Sequence, residues 1–274
     1  MATAEDRSLF SYDASAPLNL QKTVESTTNG VEISKISFSS PDGGWVTGMM
    51  WDPVTRPGLR PGMVVMHGMP GRASDFATLG QNYALRGAVV IAIDAPFARR
   101  GGLPVKFTPE DRAEQIQLIK DLQRAVDVLR SRPNVDDDRI AYMGVSYGGA
   151  MGALFVGIER RLATAVLVVG HGGLVSHSTG PGFKYITDFS CATRVAWIRA
   201  MSPIEPIRFV GNANVPLLLQ NGTLDDLIPV ADAEELHAAA PNPKTVRWYT
   251  ADHSLDQQAV NDRVGWLVEK IGVD

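Results

Sequence analysis

Arg139-Ile-Ala-Tyr-Met-Gly-Val-Ser-Tyr-Gly-Gly149 reads as a buried strand, a tight turn and the opening of a helix. The apolar run Ile140–Met143 supplies the strand. Gly144 and Gly148 stand two positions either side of Ser146, the G-x-S-x-G spacing of a nucleophile elbow. A side chain at either glycine would collide with the adjacent strand or helix, because such a turn holds its central residue in a strained conformation. Ser146 is thereby lifted above the sheet with its hydroxyl exposed. It also sits at a helix start, where free N–H groups and the helix dipole favour developing negative charge. A serine so placed points to acyl transfer, and to hydrolysis in particular.

The pattern on either side fits a mostly parallel sheet. Short apolar runs recur at Met63–Met66, Ala88–Ile93, Ile140–Met143, Ala165–Val169, Val215–Leu219 and Thr245–Tyr249, as in strands covered on both faces. Before them, residues 31–38 alternate apolar and polar. Pro41-Asp-Gly-Gly44 is a turn signal, and Trp45–Trp51 returns as the second arm of a hairpin. Helical stretches separate the parallel runs. The clearest is 108–131, with Thr108 as N-cap, Pro109 at the first helical position and Ile116, Ile119, Leu122, Val126 and Leu129 along one face. A last helix is expected from Ser254, with Gln257 completing a capping box, to about Ile271. Strand and helix in alternation predict an α/β fold, a roughly eight-stranded, mostly parallel sheet with helices on both faces. Residues 1–30 read as a polar, aperiodic N-terminal arm and 31–274 as one domain. About 45 residues separate Val169 from Val215, more than a simple crossover needs, so 171–210 is expected to form a small helical cap.

Composition narrows the function. The chain has 274 residues, 45% hydrophobic and 20% charged, with net charge −4. No basic run suggests nucleic acid or an anionic membrane. No stretch of about 18 apolar residues suggests a membrane span. The N-terminus has no apolar h-region, so no secretory signal is expected. Cys191 is the single cysteine; an intramolecular disulfide is impossible, and a cytoplasmic setting fits. Within the cap Cys191 is expected to be a small buried packing residue.

A serine hydroxyl needs a base within hydrogen-bond reach, usually a histidine oriented by a carboxylate. His253, just beyond the last predicted strand, is the expected base. The acid is expected after the preceding strand, where Asp225 and Asp226 are adjacent; neighbouring side chains diverge in a loop, and Asp225 is favoured. Oxyanion donors are expected from the backbone N–H groups of Tyr147 and of Met69, the latter in His67-Gly-Met-Pro-Gly71, where Pro70 cannot donate. His67 is expected to hold that loop by hydrogen bonding. Candidate pocket walls are Met69, Tyr147, Phe97, Phe183, Tyr185, Phe189 and Trp197. Arg99 and Arg100 are candidates for an acidic substrate group, or for solvation or an ion pair with the cap. The scheme needs no cofactor and no metal, and neither H-E-x-x-H nor a cysteine cluster is present.

These residues together resemble the α/β-hydrolase superfamily over roughly residues 31–271. The carriers are His67-Gly-Met-Pro-Gly71, Gly144-Val-Ser-Tyr-Gly148, Gly222-Thr-Leu-Asp225 with Pro229, and Asp252-His253, in the order nucleophile, acid, base. The chain is most similar to the dienelactone-hydrolase-like and acetyl-xylan-esterase-like carboxylesterases. It departs from dienelactone hydrolase proper, which has cysteine where Ser146 stands, and from dehalogenases and epoxide hydrolases, which have aspartate there. Prolyl-oligopeptidase-like peptidases have a similar catalytic domain with a large propeller, for which the residues before His67 are too few. The resemblance implies a serine carboxylesterase for a small-molecule ester with a small to medium acyl group. The alternatives are a serine peptidase or amidase, and a non-catalytic binding protein of the same fold. Oligomeric state is not legible in the sequence.

Overall fold

The computed structural model describes residues 1–179 and 189–274. In chain order the strands are β1 (Gln21–Thr28), β2 (Val31–Ser39), β3 (Trp45–Asp52), β4 (Arg60–Met66), β5 (Val89–Ile93), β6 (Val135–Val145), β7 (Thr164–Val168), β8 (Leu217–Gly222) and β9 (Lys244–Tyr249). The helices are α1 (Ala4–Ser8), α2 (Ala77–Leu85), α3 (Pro96–Arg100), α4 (Glu110–Arg130), α5 (Tyr147–Phe155), α6 (Leu174–Thr179), α7 (Cys191–Met201), α8 (Pro206–Val210), α9 (Val230–Ala239) and α10 (Gln257–Ile271). No helix among the described residues is long and apolar enough to cross a membrane.

One nine-stranded sheet runs β1-β2-β3-β5-β4-β6-β7-β8-β9. The first four strands in that order pair antiparallel; from β5 onward every pair is parallel. Strands β4, β5 and β7 are buried at every position, because helices cover both faces. Side chains alternate between two cores as strand geometry requires. Val64 and Met66 join the core under α4, α5 and α8; Met63 and Val65 join the one under α2 and α10.

The ninth strand is β1, inside the segment that reads from sequence as an arm. All eight of its residues are exposed, so it lacks the apolar alternation that marks a half-buried strand. Only its ladder with β2 reveals it. Two helix starts also shift. α4 begins at Glu110, with Pro109 rather than Thr108 as N-cap. Asp111 instead accepts from the N–H groups of Lys106 (3.1 Å) and Phe107 (2.9 Å), closing the turn ahead of the helix. α10 begins after Asp256, not Ser254, because Leu255 at φ +57° breaks the helical path. Asp256 then caps through Ala259 N–H at 2.9 Å.

Between β7 and β8 the described residues form α6, α7, a 3-10 turn at Ser202–Ile204 and α8. Phe183 and Tyr185 lie outside the described residues. Cys191 is exposed at the first turn of α7, not buried as its small apolar side chain suggests. Trp197 and Met201 are the residues that face α7 inward.

Candidate active site

The parallel strands deliver their carboxyl ends to one edge of the sheet, where ligands of open α/β folds bind. Ser146 follows β6 directly and leads into α5. Its backbone has φ +56° and ψ −114°, a conformation that costs a non-glycine residue about 1–3 kcal/mol and persists only where the surroundings impose it. The surroundings do so here. Ser146 N–H bonds Val168 C=O at 2.8 Å, tying the turn to β7. Tyr142 O–H donates to Gly148 C=O at 2.7 Å across the turn. A Cβ on Gly144 would strike the Gly148 carbonyl, one on Gly148 the Met66 carbonyl, and one on Gly149 would lie 2.7 Å from the Val168 oxygen. The glycines thus let helix and sheet close on the serine.

The loop after β4 lies against it. A Cβ on Gly68 would come within 3.2 Å of Ser146 Cβ. His67 is buried and holds this loop, as the sequence suggests. Its Nε2 accepts from Ala95 N–H (3.1 Å), so Nδ1 carries the proton and donates to Gly68 C=O (2.7 Å). Burial keeps this imidazole below its ordinary pKa, and therefore neutral. Met69 is half-buried beside Gly68. Tyr147 is the first residue of α5, so its N–H is among those without an intrahelical acceptor. Its phenol is buried and donates to Gln115 Oε1 on α4.

The loops after β8 and β9 bring Asp225 and His253 together. Asp225 Oδ2 is 2.8 Å from His253 Nδ1. Asp225 Oδ1 accepts from Leu227 N–H (2.8 Å) and Ile228 N–H (2.9 Å). Of the two adjacent acids, Asp225 meets His253 and Asp226 is exposed. Burial by itself would raise the Asp225 carboxyl. The hydrogen bonds from His253, Ile228 and Leu227 and the charge of His253 outweigh it and hold the group below the usual carboxylate range. An ionised carboxylate only accepts, so His253 Nδ1 carries the proton of this bond, and the neutral imidazole held in this way has its lone pair on Nε2. The Asp225 side chain is 0% exposed and that of His253 is 24% exposed. Among the described residues no hydrogen bond joins Ser146 to His253. The His–Asp half of the constellation is closed, and the serine stands apart from it; such contacts often tighten only when substrate binds.

Among the described residues, the aromatic side chains expected as pocket walls are buried except for Phe189. Phe97 is 3% exposed, edge-on to His67 (5.6 Å) and near Tyr147 (5.5 Å). Trp197 is 1% exposed and donates to Asp111 Oδ2 at 2.8 Å. Both carry core positions with little surface left for a ligand, because their rings support α3, α4 and α7 from below. Phe189 is exposed and lies 5.1 Å from Phe107. Arg99 pairs with buried Asp121 at 2.6 Å, and Arg100 grips Glu114 at 2.7 Å. Both are spent on α4 rather than on the segment between β7 and β8.

Two histidines near the site carry no sequence signal of their role. His171, after β7, stacks on His177 of α6 with ring centroids 4.2 Å apart, and His177 Nδ1 lies 3.8 Å from Asp232 of α9. Burial, with the neighbouring His177, pushes the His171 imidazole down to about 3. Burial with nearby Lys244 pushes His237, bonded to Asn221 at 2.9 Å, down to about 4. A histidine whose folded pKa lies below its unfolded value of about 6.5 contributes fully above pH 6.5. That contribution is lost as pH falls toward the folded value. Unfolding free energy measured by denaturant titration is therefore expected to decline from about pH 6.5 downward. A flat profile between pH 6.5 and 4.5 would contradict the assignment of buried neutral imidazoles.

Comparison with known proteins adds to this geometry. The model of the prolyl oligopeptidase family matches residues 81–257. An uncharacterized peptidase of Bacillus subtilis, YuxL, is 30% identical over 149 residues, covering 50% of this chain and 22% of that protein. The chain thus spans about a fifth of the length of that relative. Among solved structures, acetyl xylan esterase from Paenibacillus sp. R4 superposes with a TM-score of 0.80 at 21% identity, covering 97% of this chain and 92% of that one. Acetyl xylan esterase 1 from Thermoanaerobacterium sp. JW/SL YS485 gives 0.81 at 15% identity, with the same coverage. At these identities the likeness is one of fold.

Proposed function

The chain belongs to the prolyl oligopeptidase family and has the α/β-hydrolase fold, and on that premise we propose that it is a carboxylesterase acting through a Ser146–His253–Asp225 triad. The family and the fold support a serine hydrolase; that activity, the choice of ester and the choice of these residues are the proposal. The observation that carries it is a strained Ser146 on the same sheet edge as a His253 whose Nδ1 is held by an ionised Asp225.

His253 Nε2 takes the proton from Ser146 Oγ as the serine attacks the ester carbonyl. The oxyanion forms between the N–H groups of Met69 and Tyr147. Asp225 stabilises the imidazolium and keeps its tautomer. Collapse of the tetrahedral species expels the alcohol, which leaves with the proton from His253. Water, activated by the same imidazole, then releases the acid and restores Ser146. No step uses a cofactor or metal. Residues 171–210 serve as a cap beside the site. The first 30 residues are part of the same domain: β1 extends its sheet, and Ala2 and Phe10 are buried in its core.

Hydrolysis of aryl esters from acetyl to dodecanoyl tests the reading, with rates expected to be highest at the short end. A folded protein that cleaves none of them would overturn it. The family match favours a second reading, cleavage of peptide amides. Anilides of the same acids separate the two, since an amidase would turn them over at rates comparable to the esters.

A further inference from the structure

A cavity of about 400 Å³ opens beside the loop that carries Met69. Its wall follows one row of the sheet outward from the end of β5. Asp94 lies just past β5, Thr47 bonds it from β3, and the register then pairs Thr47 with Ser37 and Ser37 with Gln21. Arg72 and Ser74 close the cavity from the side of the Met69 loop.

The acceptors on this wall are occupied from within. Asp94 takes Thr47 O–H at 2.6 Å and Ala73 N–H at 2.8 Å, one on each carboxylate oxygen. Gln21 Oε1 takes Ser37 O–H at 3.4 Å. Asp75, beside the cavity, takes the Arg72 backbone N–H at 2.9 Å. Lys35 is paired with Glu25. The charged donor that remains is Arg72, whose guanidinium has neither an ion pair nor a hydrogen bond among the described residues; the other uncommitted donors of the lining, on Gln21, Thr23 and Ser74, are neutral. A guanidinium offers a planar fork matched to a carboxylate, and it repels a cation.

Arg72 is also near the reacting serine. It is four residues beyond Gly68, which abuts Ser146. Full extension of that stretch would place it about 14 Å away, and the Gly71 N–H to Gly68 C=O bond at 2.9 Å folds it closer. Unlike Arg99 and Arg100, which are committed to Asp121 and Glu114, Arg72 has no acidic partner among the described residues.

We propose that Arg72 and the cavity beside it bind a carboxylate at the far end of the substrate, so that hemiesters of dicarboxylic acids are preferred. This rests on the ester reading above and narrows it. The test compares aryl hemiglutarate with its terminal amide, equal in length and uncharged, alongside aryl acetate. The charged ester is expected to have about tenfold higher kcat/KM at low salt, mostly through KM. The preference should shrink as ionic strength rises. Arg72→Gln should bring the charged-to-neutral ratio near one, Arg72→Lys should restore part of it, and Arg72→Glu should invert it. A wild-type ratio near one, or a preference that survives Arg72→Gln, overturns the proposal while acetate turnover leaves the ester reading standing. No turnover of acetate or of either longer ester overturns both.

Discussion

Ser146→Ala is expected to reduce ester turnover by about a million-fold, the general scale for loss of a serine nucleophile. Alanine removes the only atom that forms the acyl-enzyme bond. His253 and the backbone donors remain, but they can then act only on water. The fold should survive, because the contacts that hold the turn are made by the backbone and by Tyr142. Ser146 N–H bonds Val168, and Tyr142 bonds Gly148, whether or not the hydroxyl is present. Turnover with the aryl acetate, beside a thermal melt of the variant, checks both parts. Residual activity within tenfold of the wild type would place the nucleophile elsewhere.

Asp225→Asn is expected to cost about ten-thousand-fold in turnover, the general scale for a mis-set catalytic tautomer. The geometry dictates which way the amide faces. Two backbone N–H groups, from Leu227 and Ile228, point at Oδ1. An amide nitrogen cannot sit there against two donors, so the amide oxygen must. The NH2 group is then turned to His253 Nδ1, which becomes an acceptor. The proton moves to Nε2, where the lone pair for Ser146 is needed. Asp226→Asn, at an exposed position one residue on, is the control and should leave turnover within about twofold. Equal losses in both variants would show that the loop, rather than the Asp225 carboxylate, matters.

The parallel sheet was legible because β4, β5, β7 and β8 are buried along their whole length and therefore appear as mostly apolar runs. The elbow was legible for a related reason: its glycines are demanded by backbone contacts that the sequence spacing encodes. β1 was not, since an exposed edge strand such as Gln21–Thr28 owes its state to the ladder with β2 and to no burial of its own. The α10 boundary slipped because Ser254 and Gln257 satisfy a capping pattern that the positive φ of Leu255 forbids. Among the site residues, Asp225 was separable from Asp226 only by the direction of a loop side chain, and the structure sets it through the Leu227 and Ile228 N–H groups. The near-complete burial of Phe97 and Trp197 was not legible, because aromatic identity alone does not say how much of a ring its neighbours cover. The stacking of His171 on His177 joins a strand end to a helix across a segment with no periodic signal.

The central claim is that Ser146 is the nucleophile. It is tested most directly by reacting the protein with a fluorophosphonate ester, which phosphonylates activated serine hydroxyls, and locating the adduct by peptide mass spectrometry. The account predicts stoichiometric labelling of the peptide containing Ser146, blocked by prior incubation with the aryl acetate and absent from Ser146→Ala. Labelling at another residue, or full ester turnover by a protein that takes up no label, would contradict it.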